Sequence, residues 1–293
     1  MSSLRRKEAH MPHKPSKFGL WLNTRKWLFP VQASRKLYLV ENDIDTHRLP
    51  KALYGLKIAY ASDIHYGDLL DDARVDDLVR RVNALNADVV ILGGDYGQDA
   101  EHTRKFFERG VHFKAKLAVC GVLGNHDRAG ELGDAGELAA LMQKCGITPL
   151  VNDTLTLQIN GAKLCICATD DLAHGESAFA AVRDQVRGAD YVIYAPHSPD
   201  ALEALREEVG HPFYDLALCG HTHGGQVSLF GFAPYTASQY GSRYGNAYLT
   251  GEIEEDDGVY IIVSNGVGTT WMPIRFCAPP QYHLITLRYK KQE

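Results

Sequence analysis

Short runs of apolar residues recur from residue 57 to the end of the chain. Runs of this kind, bounded by Gly, Asn and Asp, are typical of buried β-strands. The predicted strands are Lys57–Ala61, Asp88–Leu92, Leu117–Val122, Thr154–Ile159, Lys163–Ala168, Tyr191–Tyr194, Asp215–Cys219, Gly225–Leu229, Val259–Val263 and His283–Arg288.

Between the early strands, apolar residues recur every three or four positions, which predicts one-sided helices. The predicted helices are Leu70–Leu85, Leu138–Lys144 and Asp200–Val209. Strands and helices alternate in the first half, whereas residues 147–168 and 215–290 are rich in strands. The pattern therefore predicts a single α/β domain, with a mixed sheet system covered by helices.

The segment 231–257 has few periodic apolar positions and contains Tyr235, Tyr240, Tyr244 and Tyr248. We predict a long ordered loop here, and loops of that length in compact domains are usually functional. Its tyrosines either line a pocket for a nucleoside or an acyl chain, or cover the sheet.

The composition of the 293 residues, 45% hydrophobic and 23% charged, excludes a disordered or collagen-like chain. The net charge of −5 conceals an asymmetry, because residues 1–36 hold nine Lys and Arg against Glu8 alone. The rest of the chain is therefore acidic. A basic arm on an acidic body suits contact with an anionic surface, and we find no nucleic-acid-binding motif.

Residues 1–55 are predicted to form a basic N-terminal arm, followed by one domain over residues 56–290. The apolar residues of the arm fall in two clusters, Phe18–Leu22 and Trp27–Val31, separated by polar residues. Neither an uninterrupted signal core nor a membrane-spanning stretch is present. The arm either lies on an anionic membrane surface or packs on its own domain.

The six cysteines form no CxxC pair, and Cys120, Cys165, Cys167 and Cys219 lie within predicted strands. A buried free cysteine behaves as a small apolar residue. We therefore expect reduced thiols and a cytoplasmic protein, with the inner face of the membrane as the site of any peripheral attachment.

Chemically distinctive residues stand directly after the predicted strands, where the loops of α/β proteins converge. Taken singly, such clusters are common in turns and helix caps. Together, Asp, His and Asn at successive strand ends offer the oxygen and nitrogen ligands that suit Zn, Fe or Mn. The clusters are Asp63-Ile64-His65, Gly94-Asp95, Gly124-Asn125-His126-Asp127, His197, and Gly220-His221-Thr222-His223-Gly224-Gly225.

From about Lys57 to Leu287, these motifs (DIH, GGD, GNHD, a single His and GHTHGG) make the chain similar to the calcineurin-like metallophosphoesterases. The resemblance implies a four-layer α/β/β/α sandwich of two mixed sheets flanked by helices, with two metals at the strand ends. The motifs GHTHGGQ, SRYG and GVGTTWMPIRFCAPP further resemble a bacterial branch. That branch contains YkuE- and YaeI-type phosphodiesterases and the LpxG-type UDP-2,3-diacylglucosamine pyrophosphatase, and its members often have Arg in place of Asn265 and Glu in place of Gln281.

The resemblance also implies two divalent metal ions (Mn, Fe or Zn) and their ligands. One ion is held by Asp63, His65, Asp95 and His223. The other is held by Asp95, Asn125, His197 and His221, so that Asp95 bridges the pair. An anionic bridge offsets the repulsion between two cations, and water between them is acidified to the hydroxide that attacks phosphorus.

Three catalytic residues are expected beside these metals. Asn125 neutralises charge on the phosphoryl oxygens, and His126, which is not a ligand in the family pattern, protonates the leaving oxygen. Asp127 is expected to orient the His126 ring. Arg243 and Arg275 are either substrate anion binders or salt-bridge partners.

The expected function is hydrolysis of phosphodiester or pyrophosphate bonds, with a lipid-linked compound such as UDP-2,3-diacylglucosamine as one candidate substrate. The rival function is a catalytically silent scaffold of the same fold that binds protein or lipid. A complete set of ligand residues disfavours the rival, because a scaffold has no need of them.

Overall fold

A computed structural model describes residues 36–228, 233, 247–255, 258–270 and 273–289. Twelve strands lie within these residues. They are β1 (Tyr38–Thr46), β2 (Lys57–Ala61), β3 (Val89–Leu92), β4 (Ala118–Gly121), β5 (Thr148–Pro149), β6 (Asp153–Ile159), β7 (Ala162–Ala168), β8 (Tyr191–Tyr194), β9 (Leu216–Cys219), β10 (Gly251–Glu254), β11 (Tyr260–Val263) and β12 (Gln281–Tyr289).

Six α-helices lie in the same described part of the chain. They are α1 (Asp72–Ala84), α2 (Ala100–Glu108), α3 (Asn125–Arg128), α4 (Ala135–Lys144), α5 (Phe179–Gln185) and α6 (Asp200–Val209). Short 3-10 turns occur at Lys51–Leu53 and His223–Gly225. Three of the helices begin after an aspartate whose side chain accepts a hydrogen bond from the first turn, namely Asp71, Asp99 and Asp134.

The strands form two six-stranded mixed sheets. The first sheet has the order β1-β12-β2-β3-β4-β5, and the second has the order β10-β11-β9-β8-β7-β6. In the first, β2, β3, β4 and β5 are parallel, and β12 pairs antiparallel to β2 and parallel to β1. In the second, β7, β8, β9 and β11 are parallel, with antiparallel β6 and β10 at the edges.

Alternation along the strands divides the apolar core into layers. In β2, Ile58 and Tyr60 lie in the cluster between the two sheets, whereas Ala59 and Ala61 lie in the cluster shared with α1, α2 and α4. The second sheet repeats this division, with its outer face packed on α5 and α6. Successive side chains of a strand point to opposite faces, so each sheet has two buried faces. The fold is therefore the expected four-layer α/β/β/α sandwich.

The N-terminal boundary of the folded part differs from the predicted one. Residues 38–46, which lie within the predicted arm, form β1 and pair in register with β12 from Tyr38–Gln281 to Thr46–Tyr289. Ile44 and Thr46 are buried in that edge strand. Residues 1–35 of the arm lie outside the described residues, as do Arg243 and the tyrosines at 235, 240 and 244.

Two further predictions need correction. The predicted strand Gly225–Leu229 is replaced by the 3-10 turn His223–Gly225 and an isolated bridge between Val227 and Phe276. The predicted loop 231–257 contains strand β10, which pairs with β11 and is exposed on one side. In the described part of the chain, no helix is long and apolar enough to cross a membrane. Five cysteines are buried free thiols, and Cys277 is an exposed one.

Candidate metal centre

The two sheets bring their strand ends together at one edge of the sandwich. The clusters at Asp63, Asp95 and Asn125 follow β2, β3 and β4 of the first sheet. His197 follows β8, and the pair His221 and His223 follows β9, both in the second sheet. The seven ligands predicted from the sequence thus converge from both sheets: Asp63, His65, Asp95, Asn125, His197, His221 and His223.

One group of ligands, which we call the His223 half, consists of Asp63, His65, Asp95 and His223. The Nε2 atoms of His65 and His223 are 3.0 Å apart, and His223 Nε2 is 3.7 Å from Asp63 Oδ1. The ligating atoms of Asp63, His65 and His223 all lie within 4.8 Å of one another, as cation ligands must. All four residues of this half are buried.

The other group, the Asn125 half, consists of Asp95, Asn125, His197 and His221. Asn125 Oδ1 lies 3.2 Å from His197 Nε2 and 3.0 Å from His221 Nδ1. His197 is oriented by its other nitrogen, because Nδ1 lies 2.8 Å from the Gly93 carbonyl and donates to it. That bond leaves Nε2 of His197 directed at the centre.

Asp95 belongs to both halves. Its Oδ2 atom is 3.5 Å from His65 Nε2 and 3.3 Å from His197 Nε2. Its Oδ1 atom accepts a hydrogen bond from the His126 main-chain N–H at 2.9 Å, which fixes the carboxylate. One carboxylate oxygen therefore faces the two groups of imidazoles, as a bridging ligand does.

The buried carboxylates supply a test of whether these residues fit divalent cations. Asp63 is fully buried, and its Oδ2 atom has no hydrogen-bond partner among the described residues. Burial raises the pKa of Asp63, and although His197 opposes this effect, Asp95 adds to it. A buried carboxylate oxygen without a partner is costly unless a cation binds it. The donor set therefore fits hard or borderline cations.

Three of the imidazoles are held in the neutral form that binds metal. Burial, followed by the effect of His126, lowers the pKa of His65 to about 3. Burial and nearby His65 hold the pKa of His223 well below its usual value, and burial and His197 lower the pKa of His221. Neutral imidazole is the ligand form, so these side chains need not lose a proton to bind a cation at neutral pH.

His197 and Asp95 form an ion pair. Burial alone lowers the pKa of His197, but Asp95 and Asp63 outweigh it and raise that pKa to about 10. Burial alone raises the pKa of Asp95, but His197 and His126 outweigh it and hold that pKa well below the usual range. Bound cations would take the place of the imidazolium proton as the counter-charge to the two carboxylates.

His126 stands at the edge of the centre, where a proton donor would have to be. Its ring packs edge-on against His65 with centroids 4.7 Å apart. Its Nδ1 atom lies 2.8 Å from the main-chain carbonyl of Gln98 and donates to it, which leaves Nε2 as the nitrogen available to a substrate. The ring is therefore oriented by Gln98, and not by Asp127 as expected from the sequence.

Asp127 has a different task, which is to join two ligand loops. Its carboxylate accepts hydrogen bonds from the main-chain N–H groups of Asp95, Tyr96 and Gly124 and from the Thr103 hydroxyl. Burial and then Asp95 raise the pKa of Asp127 to about 6, although these donors oppose the shift. The backbone of Asp95 is thus tied to the turn that carries Asn125.

Arg243 and Arg275 were each expected either to bind the substrate anion or to form a salt bridge. Arg243 lies outside the described residues. Arg275 is buried, and its guanidinium bonds to main-chain carbonyls and to His223 instead of facing the opening of the site. Because a substrate cannot reach a side chain in that position, Arg275 supports a ligand residue.

Asp171 was not singled out from the sequence, and Asn265 and Gln281 were named without a predicted contact between them. Asp171, which follows β7, is buried; burial raises its pKa, and the charges of His197 and His221 oppose that shift. Its place after a strand end, like the other clusters, was the signal available. The two positions that depart from the bacterial branch, Asn265 and Gln281, contact each other, with Nδ2 of Asn265 donating to Oε1 of Gln281 at 3.3 Å.

Comparison with known proteins gives a consistent set of relatives. The family model described as calcineurin-like phosphoesterase matches residues 56–225. The uncharacterized metallophosphoesterase YkuE of Bacillus subtilis is 30% identical over 255 residues, which cover 85% of this chain and 84% of that protein. The uncharacterized protein YpbG of the same organism is 29% identical over 84% of this chain and 88% of its own length. An uncharacterized metallophosphoesterase of Aquifex aeolicus is 28% identical over 84% of this chain and 90% of its own length.

Proposed function

The chain belongs to the calcineurin-like phosphoesterase family, and on that premise we propose that it is a hydrolase of phosphodiester or pyrophosphate bonds with a centre for two divalent cations. The observation that carries the proposal is the position of Asp95 Oδ2, within 3.5 Å of an imidazole nitrogen from each half. A carboxylate so placed is the anionic bridge that two neighbouring cations require.

The residues divide the work between binding and proton transfer. Bound divalent cations supply acidification of water and neutralisation of charge on the phosphoryl oxygens. Asp63, His65 and His223 would hold one cation, Asn125, His197 and His221 would hold the other, and Asp95 would belong to both sets. The amide of Asn125 is proposed in addition to donate to a phosphoryl oxygen.

His126 is the proposed general acid. Its Nδ1–H is committed to the Gln98 carbonyl, so protonation at Nε2 produces an imidazolium whose second N–H points away from that carbonyl. The proton at Nε2 is then available to the leaving oxygen, which needs it when the leaving group is an alkoxide. This arrangement favours hydrolysis over a scaffold role, because a scaffold does not use a positioned proton donor.

The proposal is tested by metal content and hydrolysis together. Full-length protein reconstituted with Mn²⁺, Fe²⁺ or Zn²⁺ is expected to hold about two equivalents and to hydrolyse bis-p-nitrophenyl phosphate. Asp95→Asn should lose both properties. Asp190→Asn is a matched control, because the Asp190 carboxylate accepts only a surface hydrogen bond from the Lys163 N–H among the bonds described. Metal-loaded protein inert towards diesters, pyrophosphates and monoesters would refute the function.

We further propose that the substrate has an apolar portion. Leu132 and Leu172 are 47% and 38% exposed, in loops that follow α3 and β7 at the metal edge. Both loops are joined by the Arg128 guanidinium, whose Nε and Nη2 atoms each donate to the Asp170 carboxylate at 3.0 Å. Exposed leucines held beside a polar centre suit acyl chains, as in UDP-2,3-diacylglucosamine.

The apolar portion is tested by comparing acylated and unacylated substrates. Leu172→Ser should raise KM for UDP-2,3-diacylglucosamine and leave hydrolysis of UDP-N-acetylglucosamine unchanged. Leu117→Ser is the control, because Leu117 is 50% exposed but precedes β4, at the opposite end of the strands from the centre. Equal effects of the two substitutions would contradict the proposal.

For residues 1–36, the basic part of the predicted N-terminal arm, we propose contact with an anionic membrane surface. Its support is the excess of nine Lys and Arg over one acid, interleaved with Trp21 and Trp27. The full chain should sediment with vesicles containing phosphatidylglycerol at low salt and detach at high salt. A chain lacking residues 1–36 that binds these vesicles equally well would contradict this role.

A further inference from the structure

Arg275 is a buried charged side chain next to the metal centre, with 2% of its surface exposed. Its guanidinium donates from Nη1 to the His223 carbonyl at 3.2 Å and to the Ala278 carbonyl at 3.0 Å. Nη2 lies 3.2 Å from Nδ1 of His223 and donates to the Asn265 carbonyl at 2.7 Å. Both the ring and the backbone of His223 are therefore held by one side chain.

The same guanidinium holds the loop that encloses Asp63. Nε of Arg275 donates to the Gly268 carbonyl at 3.1 Å, and Nη2 donates to the Gly266 carbonyl at 3.3 Å. The N–H of Gly268 in turn donates to the Asp63 carbonyl at 2.6 Å. A Cβ atom on Gly266 would lie 2.5 Å from Asp63 Cβ, so this loop is in close contact with the ligand.

The acceptors of the bonds named above are main-chain carbonyls and an imidazole nitrogen. Burial of a charged guanidinium costs free energy. An apolar side chain could fill the same volume at lower cost. Burial of the charge therefore serves to fix the segments that the guanidinium joins. One of these segments carries His223, and the other contacts Asp63.

The Asn125 half is supported by other groups. His197 is oriented by the Gly93 carbonyl, and the turn that carries Asn125 is tied down by Asp127. The bonds of Arg275 described above end instead on His223, on Ala278 and on the loop 265–268. Loss of the guanidinium should therefore affect the two halves unequally.

We propose that Arg275 is a positioning residue that allows the His223 half to hold its cation, while the Asn125 half is organised without it. This inference rests on the two-cation centre proposed above. Side chains that orient metal ligands typically contribute about 10- to 100-fold to metal affinity. Arg275→Met should therefore weaken one of two Mn²⁺-binding steps by about 10- to 100-fold and leave the other near its original affinity.

The test is a calorimetric Mn²⁺ titration of the full-length protein, with electron paramagnetic resonance of the loaded samples. The unmodified protein should bind two equivalents and show the multiline signal of coupled ions. Arg275→Met at one equivalent should show the six-line signal of isolated Mn²⁺. Arg275→Lys should lie between the two, because an ammonium donates to some of the carbonyls but cannot make the two-sided contact with the loop and His223.

The matched control is Arg206→Met. Arg206 is a partly buried arginine whose bonds end away from the centre, on Tyr248 and on the carboxylates of Glu203 and Glu255. This variant should bind two equivalents with unchanged affinity. His223→Ala serves as the reference for direct loss of a ligand from the same half.

The outcomes separate the two proposals. If the unmodified protein binds no Mn²⁺, the two-cation centre fails. If it binds two equivalents and Arg275→Met does the same with unchanged affinity, only the role of Arg275 fails. An equal loss at both steps also overturns that role, since it indicates general damage to the fold. If circular dichroism shows that Arg275→Met does not fold, the same criterion is applied to Arg275→Lys. Loss of Mn²⁺ affinity at one step supports the role of Arg275, and an equal loss or no loss at both steps overturns it.

Discussion

At the scale of single residues, five of the seven predicted ligands share an unusual backbone conformation. Asp63, His65, Asp95, His221 and His223 have φ angles between 50° and 68°, in the left-handed region. This conformation costs an L-residue about 1–2 kcal/mol. Hydrogen bonds such as those from the Asp63 and His65 N–H groups to the Gly94 and Asp95 carbonyls hold it in place. Strain of this kind, concentrated in one place, is typical of functional sites.

The residue types and their places after strands picked out the polar clusters, and the family resemblance implied which seven residues in them are ligands; the structure brings those seven together. The support for these ligands could not be predicted in the same way. Gln98 orients His126 through its main-chain carbonyl, which every residue type possesses, so no sequence pattern reveals it. The arginine at 275 was visible, but a buried arginine and a substrate-binding arginine look the same until the fold shows which loops surround it.

The general-acid role of His126 predicts a dependence on the leaving group. His126→Gln should lower kcat by about 10²- to 10⁴-fold for alkyl phosphodiesters, whose leaving oxygen needs a proton. The loss should be much smaller for bis-p-nitrophenyl phosphate, because p-nitrophenolate leaves without protonation. Rates on both substrates, with metal content measured alongside, check this prediction. A uniform loss on both substrates would contradict the role of proton donor.

The role of Asp127 as a joint between loops predicts an effect on stability. Asp127→Asn replaces an acceptor oxygen by an amide donor opposite main-chain N–H groups, and should lower the free energy of unfolding by about 2–4 kcal/mol. Asp134→Asn is the control, because Asp134 caps α4 through one oxygen, and Asn caps a helix equally well. Urea unfolding of the metal-free proteins measures both. If the free energy of unfolding of Asp127→Asn equals that of Asp134→Asn, the hydrogen bonds of Asp127 are not needed for stability.

At the scale of elements, the strands predicted most accurately were those buried on both faces. β2, β8 and α6 have the predicted bounds, because their apolar or amphipathic patterns are uninterrupted. β1 was missed because it is an edge strand of sequence YLVENDIDT, in which a single face is buried near its end. The strand predicted from Gly225 does not form. His223, Gly224 and Gly225 have left-handed backbones and make a 3-10 turn instead.

A chain of polar contacts joins the sheets at the edge formed by β1, β12 and β10. Gln281 Nε2 lies 3.3 Å from His283 Nε2, and His283 Nδ1 lies 3.0 Å from Asn42 Oδ1. Asn42 donates to Glu252 of the other sheet at 2.9 Å. In this arrangement the neutral ring of His283 donates from Nδ1 and accepts at Nε2.

The buried ring of His283 predicts a dependence of stability on pH. Burial lowers the pKa of His283 to about 4, below the value of about 6.5 in an unfolded chain. The unfolded state then binds the proton first, so the contribution is complete above about pH 6.5 and is lost as the pH falls towards 4, at a total of about 3 kcal/mol. The free energy of unfolding of His283→Gln should decline less over this range. His112→Gln changes an exposed histidine and should leave the pH dependence of the free energy of unfolding unchanged. If His283→Gln shows the same pH dependence as His112→Gln, the buried ring of His283 is not its cause.

At the scale of the whole molecule, we expect the candidate centre to couple cation binding to stability. Two buried carboxylates, Asp63 and Asp95, face one another across the imidazoles, and a cation that binds only the folded state stabilises it by about 2.7 kcal/mol at 100 times its Kd. Removal of metal with EDTA should therefore lower Tm by roughly 5 °C or more, and added Mn²⁺ should restore it. Asp95→Asn should abolish the response and Asp190→Asn should keep it. A Tm independent of both reagents would contradict the coupling.

The position of the centre across the two sheets has a consequence for how the chain folds. His65 and His223 are 158 residues apart in sequence, and Asn125 is 72 and 96 residues from His197 and His221. Closing such long loops is entropically expensive and comes late in folding. The first sheet carries four of the seven ligands, but neither sheet alone carries all four ligands of either half, so a cation has no full site to bind until both sheets have docked. Metal uptake during refolding should thus mark the last step of assembly, and a cation cannot serve as the nucleus.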